Sequence, residues 1–296
     1  MTPMTVACGI LGAMLEVSEI GPFRLVALLG AGGAARVHRA VDGRDGRAVV
    51  LKWAARAARV DEERFLREAA LLARLESPHL VRCLEAGRSG NWLWMAMEDV
   101  AAETLAARVA CARPAPGDPL LVQWLAQILL ALIALHGARV VHRDLKPANV
   151  LVGADGVVRV ADLGLAFQED LEPLTGSAAL VGSPEWFPAE VLTGSRADHR
   201  GDLYQWALIA YWLCAGALPF AGDSPMSASS RRCFEPVPPL AQLAPATPAL
   251  LSDLVQRNLE PEPAHRHREA AELLADLMLL WPEAAGPISP VRGTSA

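Results

Sequence analysis

The sequence predicts an α+β fold of two lobes, a small β-rich N-lobe with one main helix and a larger, mostly helical C-lobe. Three observations predict it. Short strand-like runs separated by turn residues crowd the stretch from about residue 23 to 98. After about residue 105 the apolar residues recur at helical spacing. With 52% hydrophobic and 20% charged residues over 296 positions, the chain has ample material for a packed core and not the composition of a disordered one.

The first 22 residues form an extension that carries no nameable chemistry. Strands follow at Phe23–Leu29, Ala35–Ala40 and Ala48–Trp53, the last two joined by the hairpin signal Asp42-Gly43-Arg44-Asp45-Gly46. Asp61 is an N-cap candidate, with Glu62 and Glu63 in the first turn of a helix whose Phe65, Ala69, Leu72 and Leu75 share one face. Pro78 ends it, and two more strands read at Leu80–Ala86 and Trp92–Glu98, before a connector near Glu98–Ala102. Asp118-Pro119 starts a helix that runs to about His136. Strands at Val150–Val152 and Val158–Val160 flank the turn Ala154-Asp155-Gly156. Helices then fit Asp202–Ala215, Pro248–Asn258 and Arg268–Leu280, and a loose tail begins at Pro282.

Composition excludes several functions. The net charge is −6, with 27 basic against 33 acidic groups and no basic run, which disfavours nucleic acid as a partner. Five scattered cysteines (Cys8, Cys83, Cys111, Cys214 and Cys233) show no C-x-x-C spacing and fit reduced thiols in the cytoplasm. The apolar stretches Leu120–Leu135 and Leu203–Leu218 fall short of the roughly 20 residues a membrane span needs. The apolar Met4–Leu15 stretch lacks the positive flank of a signal peptide. The expectation is a soluble, cytoplasmic protein without a membrane span.

Four segments, in order, ask for one reaction. Gly30-Ala31-Gly32-Gly33-Ala34-Ala35-Arg36-Val37 is a glycine-rich turn between strands, where backbone N–H groups can approach phosphate oxygens. Val49-Val50-Leu51-Lys52 ends a buried-looking strand in a cation that needs an anion, for which Glu68 on the next helix or a phosphate would serve. A solvated carboxylate is the other reading of Glu68. His142-Arg143-Asp144-Leu145-Lys146-Pro147-Ala148-Asn149 packs an acid, a cation and a carboxamide into six positions of a loop. There Asp144 can orient or deprotonate a hydroxyl, Lys146 can neutralise a phosphoryl group in transfer, and Asn149 can offer an oxygen to Mg²⁺. Asp162-Leu163-Gly164 follows a strand and supplies a carboxylate for the metal.

These segments match the protein kinase signature set in order and spacing. From about Phe23 to Leu280 the chain resembles a eukaryotic-type (Hanks-type) serine/threonine protein kinase, and its arginine-rich, alanine-rich composition suggests a bacterial member. The resemblance implies a protein-kinase-like fold over residues 23–281, with an N-lobe of about 23–98, a C-lobe of about 103–281, an extension at 1–22 and a tail at 282–296. It implies ATP contacts at Leu29, Gly30, Gly32, Gly33, Val37, Lys52, Met97, Glu98 and Val100. In it Lys52 pairs with Glu68, Asp144 is the catalytic base assisted by Lys146, and Asn149 and Asp162 hold Mg²⁺, with Mn²⁺ the alternative metal. Glu190, near Pro184 and Trp186 at the end of the activation segment, pairs with Arg266. Thr175 and Ser177 are the candidate phosphoacceptors of that segment, with Ser183 nearer the peptide and Arg143 placed to dock a phosphate. Implied partners are ATP and protein substrates, and a transient dimer for autophosphorylation.

Some positions depart from the family pattern. Ala35 replaces the third glycine of the phosphate loop and Ala34 its aromatic tip, Leu163 replaces a phenylalanine, and Pro188-Ala189 inverts the usual order before Glu190. The rival readings are a pseudokinase that binds nucleotide and signals by conformation, and a small-molecule phosphotransferase of related fold. The basic residues weigh against decay: 25 are arginine and two are lysine, and those two are Lys52 and Lys146. A compact ammonium survives where a planar guanidinium will not serve. A Lys52→Arg variant should therefore keep its fold and charge, seen by circular dichroism, yet lose most phosphate transfer; near wild-type transfer would reduce the lysine pair to coincidence.

Overall fold

A computed structural model describes residues 17–31, 35–55, 62–162, 184–220 and 224–280; the side chains at 63, 64, 67, 68, 225, 226 and 229 lie outside that description. The chain divides into two compact units, Met1–Arg74 with Arg82–Asp99, and Leu75–Val81 with Val100–Ala296. The fold is α+β, as its composition and patterning predict.

The first unit is an antiparallel sheet of β1 (Glu19–Ile20), β2 (Phe23–Ala31), β3 (Ala35–Asp42), β4 (Ala48–Ala55), β5 (Cys83–Ser89) and β6 (Trp92–Glu98), in the order β1-β2-β3-β4-β6-β5. The β3–β4 hairpin closes on Asp42, whose amide donates to Arg47 O and whose carboxylate accepts from Arg44 N at 2.9 Å. The Arg44 guanidinium beside it holds that carboxyl below its usual range. Ile20, Phe23, Ala40, Val49, Leu51, Trp53, Trp94 and Ala96 form one apolar cluster. Leu51 and Trp53 alternate with Lys52, so the lysine stands on the opposite face of β4. Helix α1 (Glu62–Leu72) buries Phe65, Ala69 and Leu72, the periodic residues of its sequence.

Two boundaries in and around this sheet differ from the sequence reading. The sheet starts at Glu19, before Phe23, because Ile20 pairs with Phe23 and is 1% exposed. The strand expected at Leu80–Ala86 is β5, three residues later. Leu80 instead makes a parallel bridge to Val160, and Val81 N donates to Val160 O at 3.0 Å, which draws residues 75–81 into the second unit.

That unit carries a three-stranded sheet of β7 (Ala102–Thr104), β8 (Val150–Gly153) and β9 (Val158–Val160). Its helices are α2 (Leu105–Cys111), α3 (Pro119–Gly137), α4 (Ala189–Leu192), α5 (His199–Ala215), α6 (Pro225–Phe234), α7 (Leu240–Leu243), α8 (Ala249–Asn258) and α9 (Ala270–Met278). Asp118 caps α3, its carboxylate accepting from Leu120 N at 2.9 Å. By length and composition α3 is apolar enough to cross a membrane, but here it is a core helix. Leu121, Leu125, Ile128, Leu132 and Leu135 are fully buried, and the polar break at Gln127 accepts from Val158 N at 2.7 Å. Helix α5 begins at His199, three residues before the expected start, because Asp198 caps it through Arg200 N; it ends at Gly216, whose φ of 80° suits glycine.

An ion pair fastens the lower part of this unit. Arg266 is 1% exposed and uses all five donors: Nη1 to Glu190 Oε1 (3.0 Å) and Arg200 O, Nη2 to Glu190 Oε2 (2.7 Å) and Pro261 O, Nε to Glu260 O. Its guanidinium lies 4.7 Å over the ring of Tyr204, whose hydroxyl burial pushes up to about 12. Gly201 leaves room for Glu190, because a Cβ there would stand 3.3 Å from Oε1 and 2.6 Å from Ala197 Cβ. Pro188 donates nothing at the start of α4 and need not, since helix N-termini require carbonyls and not N–H groups. Removing one partner strands the other in the core. Arg266→Met should cost about 3–5 kcal/mol in denaturant unfolding, and the double variant Arg266→Met/Glu190→Gln should recover part of it; equal losses in both would deny the pairing its role.

Candidate active site

The first unit holds the residues expected to grip the nucleotide. Gly30 faces Val37 across β2 and β3, with Leu29 half exposed beside it, while Gly32, Gly33 and Ala34 lie outside the described residues. Ala35 sits in regular β3 opposite Ala54 and has no positive φ. The methyl that replaces the family's third glycine thus meets no backbone conflict.

Lys52 lies between Val37 and Met95 in the sheet and is 8% exposed. A lysine this buried marks a site built around a cation. Glu68 falls on α1, with its side chain outside the description. Met97, 8% exposed, is paired with Val50 on one side and Cys83 on the other. Glu98 is locked to Arg82 in both directions, its amide donating to Arg82 O and its Oε1 accepting from Arg82 N at 2.9 Å. Val100 opens the second unit.

The second unit holds the residues expected to transfer phosphate. Residues 142–146 have no regular secondary structure, and Pro147–Asn149 form a single 3₁₀ turn into β8. Lys146 Nζ donates to both carboxylate oxygens of Asp144, at 3.1 and 2.8 Å. Asn149 Nδ2 donates to Asp144 O at 2.7 Å and to Asp144 Oδ2 at 3.0 Å. A carboxylate has about four acceptor directions. Lys146 takes one on each oxygen and Asn149 a second on Oδ2, so that among the described residues one direction on Oδ1 has no donor and could receive a hydroxyl.

Every backbone N–H from His142 to Leu145 has a partner, although the segment belongs to no helix or strand. His142 N and Arg143 N both donate to the Asp202 carboxylate at 2.8 Å. Asp144 N donates to His142 Nδ1 at 3.3 Å, and Leu145 N donates to Gln205 Oε1 at 3.1 Å. With Nδ1 accepting, the His142 proton sits on Nε2 and is donated to Ala161 O at 3.1 Å. Asp202 is wholly buried and also faces His136 Nε2 at 2.8 Å. Arg143 and Asp162 are non-glycine residues with positive φ, 66° and 54°. Such strain persists where surrounding bonds over-determine it, and it clusters at functional sites.

Asp162 follows β9, and Ala161 N donates to Asn149 O at 2.8 Å, which ties the two expected metal residues together through the backbone. Asn149 Oδ1 accepts none of the hydrogen bonds made among the described residues. A hard carbonyl oxygen and a carboxylate suit Mg²⁺, which completes its shell with water and phosphate oxygens. Leu163, Thr175, Ser177 and Ser183 lie outside the described residues.

Sequence reading placed Asp202 at a helix start without a role and passed over Gln205. Their signal was one polar residue at the head of the mainly apolar run Leu203–Leu213 and one inside it.

The profile of the protein kinase domain matches residues 23–279. The chain is 37% identical over 268 residues to the DNA damage-responsive serine/threonine-protein kinase RqkA of Deinococcus radiodurans, covering 88% of this chain and 39% of that protein. It is 35% identical over 270 residues to the serine/threonine-protein kinase pkn3 of Myxococcus xanthus, covering 86% and 49%. With the serine/threonine-protein kinase PknL of Mycobacterium tuberculosis it shares 32% identity over 264 residues, covering 88% and 66%. The chain thus spans between about two fifths and two thirds of the length of these relatives. A match running from the first long strand to the last helix, over a loop whose carboxylate, ammonium and carboxamide interlock, means that the chain belongs to the protein kinase domain family, among homologues that are bacterial serine/threonine kinases.

Proposed function

We propose that this chain is a working serine/threonine kinase domain, transferring the γ-phosphoryl group of ATP directly to a hydroxyl of a protein substrate. The observation that carries the reading is Asp144, clamped by Lys146 and Asn149 at 2.7–3.1 Å with one acceptor direction still open. A serine or threonine hydroxyl bound there donates its proton toward Oδ1. Its oxygen forms the new bond to the γ-phosphorus as the bond from phosphorus to the β-bridging oxygen breaks, and ADP leaves with that electron pair. In this reading Lys146 offsets charge on the phosphoryl oxygens, and Lys52 holds the remaining phosphates. Asn149 and Asp162 would hold Mg²⁺, which when bound would supply positive charge against the phosphates.

Autophosphorylation at Thr175 or Ser177, between two copies of the chain, belongs to the same proposal on sequence grounds. So does action in the cytoplasm, on the sequence grounds that its five cysteines are scattered and show no C-x-x-C spacing.

Labelled ATP and a generic basic protein, with wild type beside Asp144→Asn, test the reading. The variant should lose about hundredfold or more of the transfer, the scale of a positioned base, while still binding ATP, and label on the wild-type chain itself should map to Thr175 or Ser177. Transfer equal in the two proteins would sink the enzymatic reading, and ATP binding without transfer in wild type would establish the pseudokinase.

A further inference from the structure

The catalytic loop is held by a glutamine whose three hydrogen bonds go to three places of unequal meaning. Gln205 lies on α5 three residues after Asp202, on the same face, and is wholly buried. Its Oε1 accepts from Leu145 N at 3.1 Å, and its Nε2 donates to Arg143 O at 3.2 Å and to Trp186 O at 3.1 Å. The orientation of the carboxamide follows from these partners, since the reverse would set N–H against N–H at Leu145 and oxygen against two carbonyls.

Arg143 C=O belongs to the peptide plane before Asp144, and Leu145 N–H to the plane after it. One side chain therefore fixes both planes that flank Asp144, and with them the backbone angles that aim its carboxylate. It does so next to Arg143, which holds a positive φ that an L-residue avoids.

The third bond leaves the loop. Trp186 ends the 3₁₀ turn Pro184–Trp186, the first described turn after Ser183, which the family resemblance puts against the peptide substrate. The turn is also anchored by Arg232, whose Nη2 donates to Pro184 O at 3.4 Å, and by Trp186 packing edge-on to Trp212 with centroids 6.3 Å apart. Both donors that join turn and loop sit on a single nitrogen of a planar group. A shift of Trp186 O must then rotate or lengthen the bond to Arg143 O.

We infer that Gln205 is a positioning residue that couples the aim of Asp144 to the seating of the turn at 184–186, so that protein-substrate engagement and base placement rise and fall together. The inference rests on the kinase reading above. An apolar residue in its place would leave Leu145 N–H without its acceptor and the Arg143 and Trp186 carbonyls without their donor, so the carboxamide serves the loop and the turn and not the packing of the helix. What glutamine adds is the joint.

The near-isosteric Gln205→Met variant removes all three bonds. Its kcat for a protein substrate should fall about ten- to hundredfold, the scale of a small misplacement of a catalytic group. The KM for the protein substrate should rise severalfold, and the KM for ATP should stay within about twofold. Hydrogen exchange supplies a readout apart from activity, with the Leu145 amide losing its protection while the amides of α3 keep theirs. A kcat within twofold of wild type overturns the inference. So does a uniform rise in exchange through the unit with activity falling only in proportion to folded protein. A wild-type chain that transfers no phosphate fails the kinase reading itself and takes this inference with it, an outcome distinct from a working wild type beside an equally active variant.

Discussion

One buried carboxylate carries the site. Asp202 has no exposure and sits just before the mainly apolar run Leu203–Leu213 of its helix, which only Gln205 interrupts with a carboxamide. A carboxylate taken out of water costs several kcal/mol unless hydrogen bonds replace its hydration. Here the replacements are the N–H groups of His142 and Arg143, with His136 Nε2 at the same oxygen as His142. The trade runs both ways. The loop needs acceptors because it belongs to no ladder, and Asp202 needs donors because it is dry. Each satisfies the other, and neither is stable in this form alone.

That mutual need explains how a strained loop can be rigid. Arg143 and Asp162 occupy a region of backbone space that costs of order 1–3 kcal/mol per residue. Asp202 and Gln205 hold one side of the loop, and His142 spans to Ala161 just before Asp162. Asn149 then closes the circle through Ala161 N. The buried polar groups of this unit thus form a chain from α5 to the residues expected at the metal. Networks of this kind rigidify when every member is satisfied.

How much of this could be read beforehand divides along the distance between partners. The β3–β4 hairpin, the Asp118 cap and the apolar face of α1 were legible because their causes lie within a few residues. The catalytic loop was legible for the same reason, since Asp144, Lys146 and Asn149 interlock within six positions. The strand misplaced at Leu80–Ala86 is apolar enough, but Leu80 and Val81 are claimed by Val160, eighty residues on. Helix α5 was set three residues late because Asp198, not Asp202, caps it. Helix α2, short and alanine-rich behind the Thr104 cap, offered little apolar contrast and went unread. Asp202 and Gln205 act on backbone groups about sixty residues away, and no local pattern announces such a duty.

Two of the ion pairs in the second unit differ in a way that bears on the rare lysines. Arg266 meets Glu190 as a planar fork against a planar carboxylate, and every donor it owns is used. Such a pair is closed, and nothing more can bind to it without displacing something. Lys146 meets Asp144 as a point charge whose single nitrogen reaches both oxygens. An arginine in its place could lay two parallel bonds along both oxygens and convert the base into a second closed pair. The ammonium instead leaves on Oδ1 an acceptor direction that no described residue takes. Arginine predominates among the basic residues of this chain, and lysine stands here all the same. For the phosphoryl transfer proposed above, the more open pairing is the one that suits a base.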